Sequence, residues 1–523
     1  LTCALALVQG WISRGQLSPD GVSYLDLANA ARAGDWGHFL QGSWSPLYPL
    51  LLAPVRMVAD VTGADHLALA HLFNALVVCV GAALIHRLLM SLWAMRDERS
   101  PLPAVLWLRC GWGAYAICAL GRARVNAITP DGLLLCVIVA VTIELLVFAG
   151  ERYLQLAALL ALAFLAKTSS WPWALVLIGV LAFRWQRAGS GGRALRLATT
   201  AVALAAVWIV PLSVRTGAPT LGSTGYLNAC WYIRACDGRS PDTHAGAHRA
   251  YLSQQLPDGR VLTYVKFDDP RWSYAPWSDP TAWSRGLINQ DQRPFRLGAY
   301  ALLVAGNTLR VLHYVLSYLY LGPLLALLIW WRLAKPRLTR SSPLVRRGML
   351  AATIGAIGVA QFLAVHAEPR LVAPLAFLHV MGVMTVVLAG AAATQQASRR
   401  YLALAVLPLV AALFSIGVVA ADDQVAGNRI AIAREELLSL SQQAGAGFPR
   451  RTVVVLGAAF PMLADVGRID ARIVGQFPPA SLNILETLPI PQRLSIIHSM
   501  AGGAADVAWG RLPDGRVGMI PLR

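Results

Sequence analysis

The sequence predicts an all-α polytopic membrane protein, and three observations carry that expectation. Of 523 residues, 56% are hydrophobic and only 14% are charged, with a mean hydropathy of +0.54, whereas soluble domains carry about 25% charged residues. The apolar residues gather in blocks of roughly 20, the length a helix needs to cross about 30 Å of hydrocarbon at about 1.5 Å per residue. Basic residues sit in short loops between these blocks, in every second loop. A soluble enzyme is excluded, as are a disordered chain and a coiled coil, which need more charge and a different spacing.

The loop charges orient the chain. The formal net charge is +18, from 45 basic and 27 acidic residues. A nucleic-acid surface would collect such an excess on one soluble face or tail, so no nucleic-acid partner is expected. Here Arg87, Arg96, Arg99, Arg152, Arg184, Arg187, Arg193, Arg196, Arg332, Lys335, Arg337, Arg340, Arg346, Arg347, Arg399 and Arg400 occupy alternate loops, opposed there only by Asp97, Glu98 and Glu151. By the positive-inside rule these loops are cytoplasmic. Spans then fall at about 1–12, 66–86, 103–121, 130–149, 153–167, 170–187, 195–213, 309–331, 346–365, 370–391 and 400–420, which makes roughly eleven. The first is too short to cross and has no initiating Met, so a cytoplasmic start is expected before it; no small-residue cleavage site follows to mark a signal peptide. The run at 46–58, broken by Pro49 and Pro54, is expected to lie at the outer interface, because counting it as a crossing inverts the charge rule in every later loop.

This parity divides the chain into a membrane domain at 1–421, with a first outer loop at 13–65 and a long outer loop at 214–300, and a small extracytoplasmic α/β domain at 422–523. In the tail, 427–442 has helical spacing, Thr452 to Leu456 is a β-branched run, Arg472 to Val474 reads as a strand, and Pro513-Asp514-Gly515 marks a turn between two further strands. Five of the seven cysteines lie in apolar spans, where a thiol is a small hydrophobe. Cys230 and Cys236 fall in the long loop, in an oxidising compartment, where they either close a disulfide or remain two thiols.

Several chemistries have no motif here. There is no G-x-x-x-x-G-K-[ST] for nucleotide phosphates and no Asp-x-Asp of the kind that holds a metal on sugar nucleotides. The ten histidines show no H-E-x-x-H or Cys-rich zinc spacing, and no G-x-S-x-G elbow occurs.

What remains is concentrated at outer turns. Ser18-Pro19-Asp20-Gly21 opens the first outer loop and is followed by Tyr24 at helical spacing; Asp20 either faces a lipid-borne substrate or caps the helix. Asp26 and Asp35 read as solvated positions. Asn126 to Gly132 places Asp131 at the mouth of the fourth span, after Arg122 and Arg124, which stand against the charge rule and ask for a partner; Asp131 too is a cap or a contact. Lys167, one of three lysines in the chain, sits in a turn between spans, where it neutralises a phosphate or snorkels to the interface. Val365-His366-Ala367-Glu368-Pro369-Arg370 packs an imidazole, a carboxylate and a guanidinium into one short turn, as a local ion pair or as part of a site. Aromatics of the long loop (Tyr226, Trp231, Tyr232, Trp272, Tyr274, Trp277, Trp283) either stack on sugars or form an interfacial belt. His71, Asn74, Gln361 and His379, inside spans, read as satisfied interhelical hydrogen-bonding groups.

These pieces together resemble the GT-C superfamily of polyprenyl-phosphate-dependent glycosyltransferases, on the branch near bacterial family-39-like enzymes, aminoarabinose transferases and protein O-mannosyltransferases. The likeness rests on Pro19-Asp20-Gly21-Val22-Ser23-Tyr24-Leu25, Trp44-Ser45-Pro46-Leu47-Tyr48-Pro49, Thr129-Pro130-Asp131, Leu165-Ala166-Lys167-Thr168 and Glu368-Pro369-Arg370, in that order and on one side of the membrane. It implies a GT-C fold in a bacterial inner membrane, with the site facing the periplasm. The implied reaction transfers a sugar from a polyprenyl-phosphate donor to a glycan, lipid or protein acceptor. Asp20 would be the general base, Lys167 and Arg370 would hold the donor phosphate, and Tyr24, Asp131, His366 and Glu368 would contact substrate. No cofactor is required, although the resemblance admits a divalent metal ion with Asp131 as a contact. Two departures stand out: relatives often have an acidic residue where Gly21 stands, and aminoarabinose transferases have one near Trp44-Ser45-Pro46. Rival readings are a transporter or lipid flippase, which would favour mid-membrane charges and repeated halves, and a noncatalytic assembly subunit, which would tolerate loss of Asp20.

Overall fold

The structure is a computed structural model that describes residues 1–95, 104–123, 125–228, 251–266, 297–314, 343–390, 452–456, 472–477, 484–485, 487–500, 507–511 and 517–521. It is mostly helical. The N-terminal part runs α1 (Thr2–Ile12), α2 (Pro19–Arg32), α3 (Trp36–Phe39), α4 (Leu47–Thr62) and α5 (His66–Ala94). Next come α6 (Ala104–Ala116) with a π turn at Ile117–Arg122, α7 (Asp131–Leu146), α8 (Tyr153–Ala166), a 3-10 turn at Thr168–Ser170, α9 (Trp171–Arg187), α10 (Gly191–Thr216) and the short α11 (Thr224–Asn228). After the strands β1 (Tyr251–Gln255) and β2 (Val261–Lys266) stand α12 (Leu297–Tyr314), α13 (Pro343–Ala360) with a 3-10 extension at Gln361–Ala364, and α14 (Pro369–Gly390). The tail contributes β3 (Thr452–Leu456), β4 (Arg472–Phe477), α15 (Ile490–Met500), β5 (Val507–Arg511) and β6 (Val517–Pro521).

Among the described residues, four helices are long and apolar enough to cross a membrane: α5, α10, Pro343–Ala364 and Pro369–Val386. The expected spans at 103–121, 130–149, 153–167 and 170–187 correspond to α6 to α9, helices of 13 to 17 residues. The expected span at 400–420, the expected helix at 427–442 and most of 309–331 lie outside the described residues, as do Cys230 and Cys236. The run at 46–58 folds as α4, a 16-residue helix with Pro54 inside it, lying against α2 and α5 and leaving Met57, Val58 and Val61 exposed.

One apolar core joins α5 to α9 with α13 and α14, and two of its large rings, Trp107 and Tyr115, are hydrogen-bonded as well as packed. Trp107 Nε1 donates to the Leu89 carbonyl (3.1 Å), and the Tyr115 hydroxyl donates to the Val78 carbonyl (2.6 Å), which keeps buried polar atoms paired where no water competes. The α13–α14 contact is closed by small residues, as helices in lipid generally are. A Cβ on Gly348 would stand 2.8 Å from the Gly382 carbonyl oxygen, and one on Gly355 would stand 2.7 Å from the His379 Cα, so the two backbones meet at a distance no side chain allows.

The strands form one six-stranded sheet in the order β1-β2-β4-β3-β5-β6. β3 is parallel to both β4 and β5, β5–β6 and β1–β2 are antiparallel, and β2 joins β4 through Val265 opposite Gln476 and Lys266 opposite Gly475. Two pieces that the sequence keeps 186 residues apart, from Lys266 to Thr452, therefore share a sheet. The edge pair β1–β2 comes from the long loop, and Arg260 within it donates to the Thr487 hydroxyl (2.8 Å).

Candidate active site

The opening of α2 decides what Asp20 is available for. Ser18 is the N-cap, its hydroxyl accepting from the Gly21 amide (3.1 Å), and Pro19 follows at the first helical position. Both satisfy helix-start requirements that would otherwise draw in the Asp20 carboxylate. Asp20 is thus free to leave the helix, and its Oδ2 accepts from Arg370 Nη1 at 2.6 Å, across 350 residues of sequence. Arg370 is shared. Its Nε donates to Glu368 Oε2 (2.7 Å), while His366 Nε2 donates to Glu368 Oε1 (2.9 Å), so the local pair expected from the short turn exists and is extended to Asp20. Burial alone would raise the Glu368 carboxyl; the His366 hydrogen bond and the Arg370 guanidinium outweigh it and hold it well below the ordinary carboxylate range.

Asp131 is the first residue of α7 and makes no side-chain cap; its wholly buried carboxylate pairs with Lys167, and Arg370 Nη1 lies 3.9 Å from its other oxygen. Lys167, 18% exposed, ends α8 in extended backbone and turns inward to Asp131 instead of snorkelling. Tyr24 packs edge-on against Trp44 (5.1 Å) and Tyr48 (5.2 Å). Burial first, and then the Asp20 and Asp131 charges, push its phenol well above its ordinary value, which keeps it a proton donor.

The loop carrying Asp131 is held from behind. His71 places Nδ1 3.0 Å from the Val125 carbonyl and Nε2 2.9 Å from the Gln16 carbonyl. Asn74 donates to the Ala127 carbonyl (2.8 Å) and accepts from the Tyr48 hydroxyl (2.8 Å). The amides and imidazoles expected to be satisfied between helices are so at His71, Asn74 and His379, the last with its Nδ1 2.8 Å from the Ala352 carbonyl. Gln361 corrects that expectation. Among the described residues neither its Oε1 nor its Nε2 has a hydrogen-bond partner, and it lines a cavity. Asp26, read as solvated, is 7% exposed, and Asp35 caps α3 by accepting from the His38 amide (3.1 Å). Arg122 ends the π turn; Arg124 and the aromatics of 229–250 and 267–296 lie outside the described residues.

Asp20, Tyr24, Asp131, Lys167, His366, Glu368 and Arg370 all line one cavity of about 500 Å³, within the usual range for a small-ligand site. Its walls include residues that sequence reasoning missed. Thr129 precedes Asp131 by two positions. Ser45 accepts from the Thr168 amide (2.8 Å), tying the Trp44-Ser45-Pro46 segment to the lysine turn. Asn228 of α11 brings the start of the long loop to the rim. Thr129 and Ser45 stand inside motifs that carry the resemblance, but residue type and spacing alone did not mark them as wall contacts. Apolar lining comes from Trp171, Phe362, Val365 and Leu371.

Three acidic side chains (Asp20, Asp131, Glu368) face two basic ones (Lys167, Arg370) in the cluster, with the His366 imidazole on Glu368. A divalent ion does not fit Asp131, because an ammonium and a guanidinium already face its two oxygens; no group of three or more His, Cys, Asp or Glu among the described residues is arranged to hold a metal. Gly21 has a local reason: a Cβ there would stand 2.7 Å from Leu17 Cδ1 and 3.2 Å from Ile128 Cβ, so α2 passes the Asp131 loop closely where a larger residue would crowd it.

No protein-family model matches the chain, and no curated protein matches it. Among solved structures it is similar to the crystal structure of ArnT from Cupriavidus metallidurans bound to undecaprenyl phosphate, at a TM-score of 0.47 and 13% identity over 94% of this chain and 88% of that one. It is also similar to ArnT from Cupriavidus metallidurans in the apo state, at a TM-score of 0.36 and 14% identity over the same shares.

Proposed function

We propose that this chain is a GT-C-type membrane glycosyltransferase that moves one sugar from a polyprenyl-phosphate donor to an extracytoplasmic glycan, lipid or protein acceptor. The single observation that supports it is the convergence of four remote turns, carrying Asp20, Asp131, Lys167 and Arg370, on one cavity with apolar and ionic walls. On this reading the chain crosses a bacterial inner membrane about eleven times, the cavity opens to the periplasm, and 422–523 is an outer α/β domain.

The chemistry follows from the charges. The donor phosphate competes with Asp20 for the Arg370 guanidinium and with Asp131 for the Lys167 ammonium. Once released, the Asp20 carboxylate takes the proton of the acceptor hydroxyl as that oxygen attacks the anomeric carbon. The bond from that carbon to the phosphate oxygen breaks, the electron pair leaves with the polyprenyl phosphate, and the two cations stabilise the charge that grows there. Attack opposite the leaving group inverts the anomeric centre. Glu368 and His366 hold Arg370 in place throughout.

Asp20→Asn tests the assignment. It keeps the shape and one hydrogen-bond acceptor but removes the base, so sugar transfer by purified protein should fall by about 100-fold or more, with farnesyl phosphate still bound. Transfer equal to the parent's would remove the base assignment and favour a noncatalytic subunit or flippase.

A further inference from the structure

The same cavity also carries buried polar atoms that have no hydrogen-bond partner among the described residues. The Thr129 hydroxyl (residue 3% exposed) and both amide atoms of Gln361 are buried without a hydrogen-bond partner among the described residues, and the buried Asp131 Oδ2 has only the Arg370 guanidinium at 3.9 Å, beyond hydrogen-bond reach. All three residues line the cavity. Buried groups of this kind cost about 1–3 kcal/mol each when left unpaired, and natural structures hold few of them. Gln361 is also placed deliberately by the fold. The α-helix α13 gives way to a 3-10 turn at that residue, and one turn earlier Gly358 lets Trp173 and Leu375 approach to within 2.7 and 2.8 Å of where a Cβ would stand, so the amide sits on a tightly packed support.

We infer that Thr129, Asp131 and Gln361 form a polar subsite that reads the hydroxyl groups of a neutral sugar on the donor. The inference rests on the donor reading above and adds the class of sugar. An amide offers donors on one atom and an acceptor on the other, and a hydroxyl both donates and accepts, so neighbouring hydroxyls satisfy Gln361 and Thr129 at once. An ammonium has donors only and, even when seated on Gln361 Oε1 or Asp131 Oδ2, leaves the Gln361 NH₂ without an acceptor. A sugar carboxylate has acceptors only and would face Asp131 Oδ2. A neutral polyhydroxylated ring matches all three groups.

The test compares binding of five probes to the purified chain in detergent: farnesyl phosphate alone, and farnesyl phosphate bearing glucose, mannose, arabinose or a 4-amino-4-deoxy sugar. At least one sugar-bearing probe should bind ten or more times tighter than farnesyl phosphate. Gln361→Met and Thr129→Val should each cut that ratio about 5- to 10-fold while leaving farnesyl phosphate binding unchanged. A ratio preserved in both variants, or no sugar preference in the parent, overturns the subsite. A 4-amino-4-deoxy sugar probe bound as tightly as its neutral counterpart overturns the neutral-sugar assignment. Failure of the parent to bind farnesyl phosphate at all overturns the donor reading itself, which separates the two failures.

Discussion

Arg370 divides its guanidinium between Glu368, two residues away, and Asp20, 350 residues away, and that division is the centre of the site. A planar fork can serve two carboxylates at fixed angles where a lysine ammonium cannot. Arg370→Lys is therefore expected to weaken farnesyl phosphate binding at least tenfold despite the retained charge, as measured by titration. At Asp131 the issue is burial. Removing Lys167 leaves the fully buried Asp131 carboxylate with only the Arg370 guanidinium 3.9 Å away, a loss of up to about 3–5 kcal/mol for a buried pair, so Lys167→Met should melt markedly earlier in detergent. Adding Asp131→Asn should recover much of that loss. For Glu368 the folded-state carboxyl is depressed below its ordinary range by His366 and Arg370 against the opposing effect of burial. Its stabilising contribution is then complete above that range and is lost as pH falls through the depressed value. The thermal-stability gap between the parent and Glu368→Gln should stay constant from pH 7 to about 5 and narrow only below about pH 4, and a gap that closed near neutrality would contradict this.

At the scale of elements, the site depends on helix starts and on close helix contacts. Ser18 and Pro19 provide for the start of α2, which leaves Asp20 for Arg370. His71 on α5 stands between the Gln16 and Val125 carbonyls and donates to one of them, while Asn74 donates to the Ala127 carbonyl, so one helix face supports both the approach to Asp20 and the loop before Asp131. Opposite them, α14 brings Arg370, and its position depends on the glycine seam with α13. Gly355→Leu would drive a side chain into the His379 backbone, so it is expected to separate the two helices, lower the melting temperature and reduce farnesyl phosphate binding together. Loss of binding without loss of stability would show that the seam does not position Arg370.

At the scale of the whole molecule, the charge rule and the site make one joint statement about sides. α10 runs from the basic 184–196 loop to the rim of the cavity, where Leu221, Gly222 and Thr224 line it. Ala188 and Ala218, both exposed, flank that helix. In intact cells, Ala218→Cys should be labelled by a membrane-impermeant maleimide, and Ala188→Cys only after the membrane is opened. The reverse pattern would put the cavity on the cytoplasmic side. The shared sheet adds a second coupling at this scale: β1 and β2 of the long loop hydrogen-bond to β4 of the tail, while the start of the same loop lines the cavity through Asn228.

The membrane class was legible in the sequence itself, because hydrocarbon thickness acts on composition and spacing alone, while loop charge supplied an expectation of sides. Legible too was the short list of turn charges, since a charge among apolar runs is conspicuous, as Lys167 is among three lysines. Each of those residues, however, had a local use that spacing could not separate from a shared one. Asp20 and Asp131 were equally good caps, and Glu368 with Arg370 an equally good local pair. Only the tertiary structure decided between them, by capping α2 with Ser18, turning Lys167 to Asp131 and laying Arg370 against Asp20. It alone also exposed Gln361 and Thr129, whose importance lies in lacking a partner, and a missing partner is a property of the surrounding space that no local run of residues encodes.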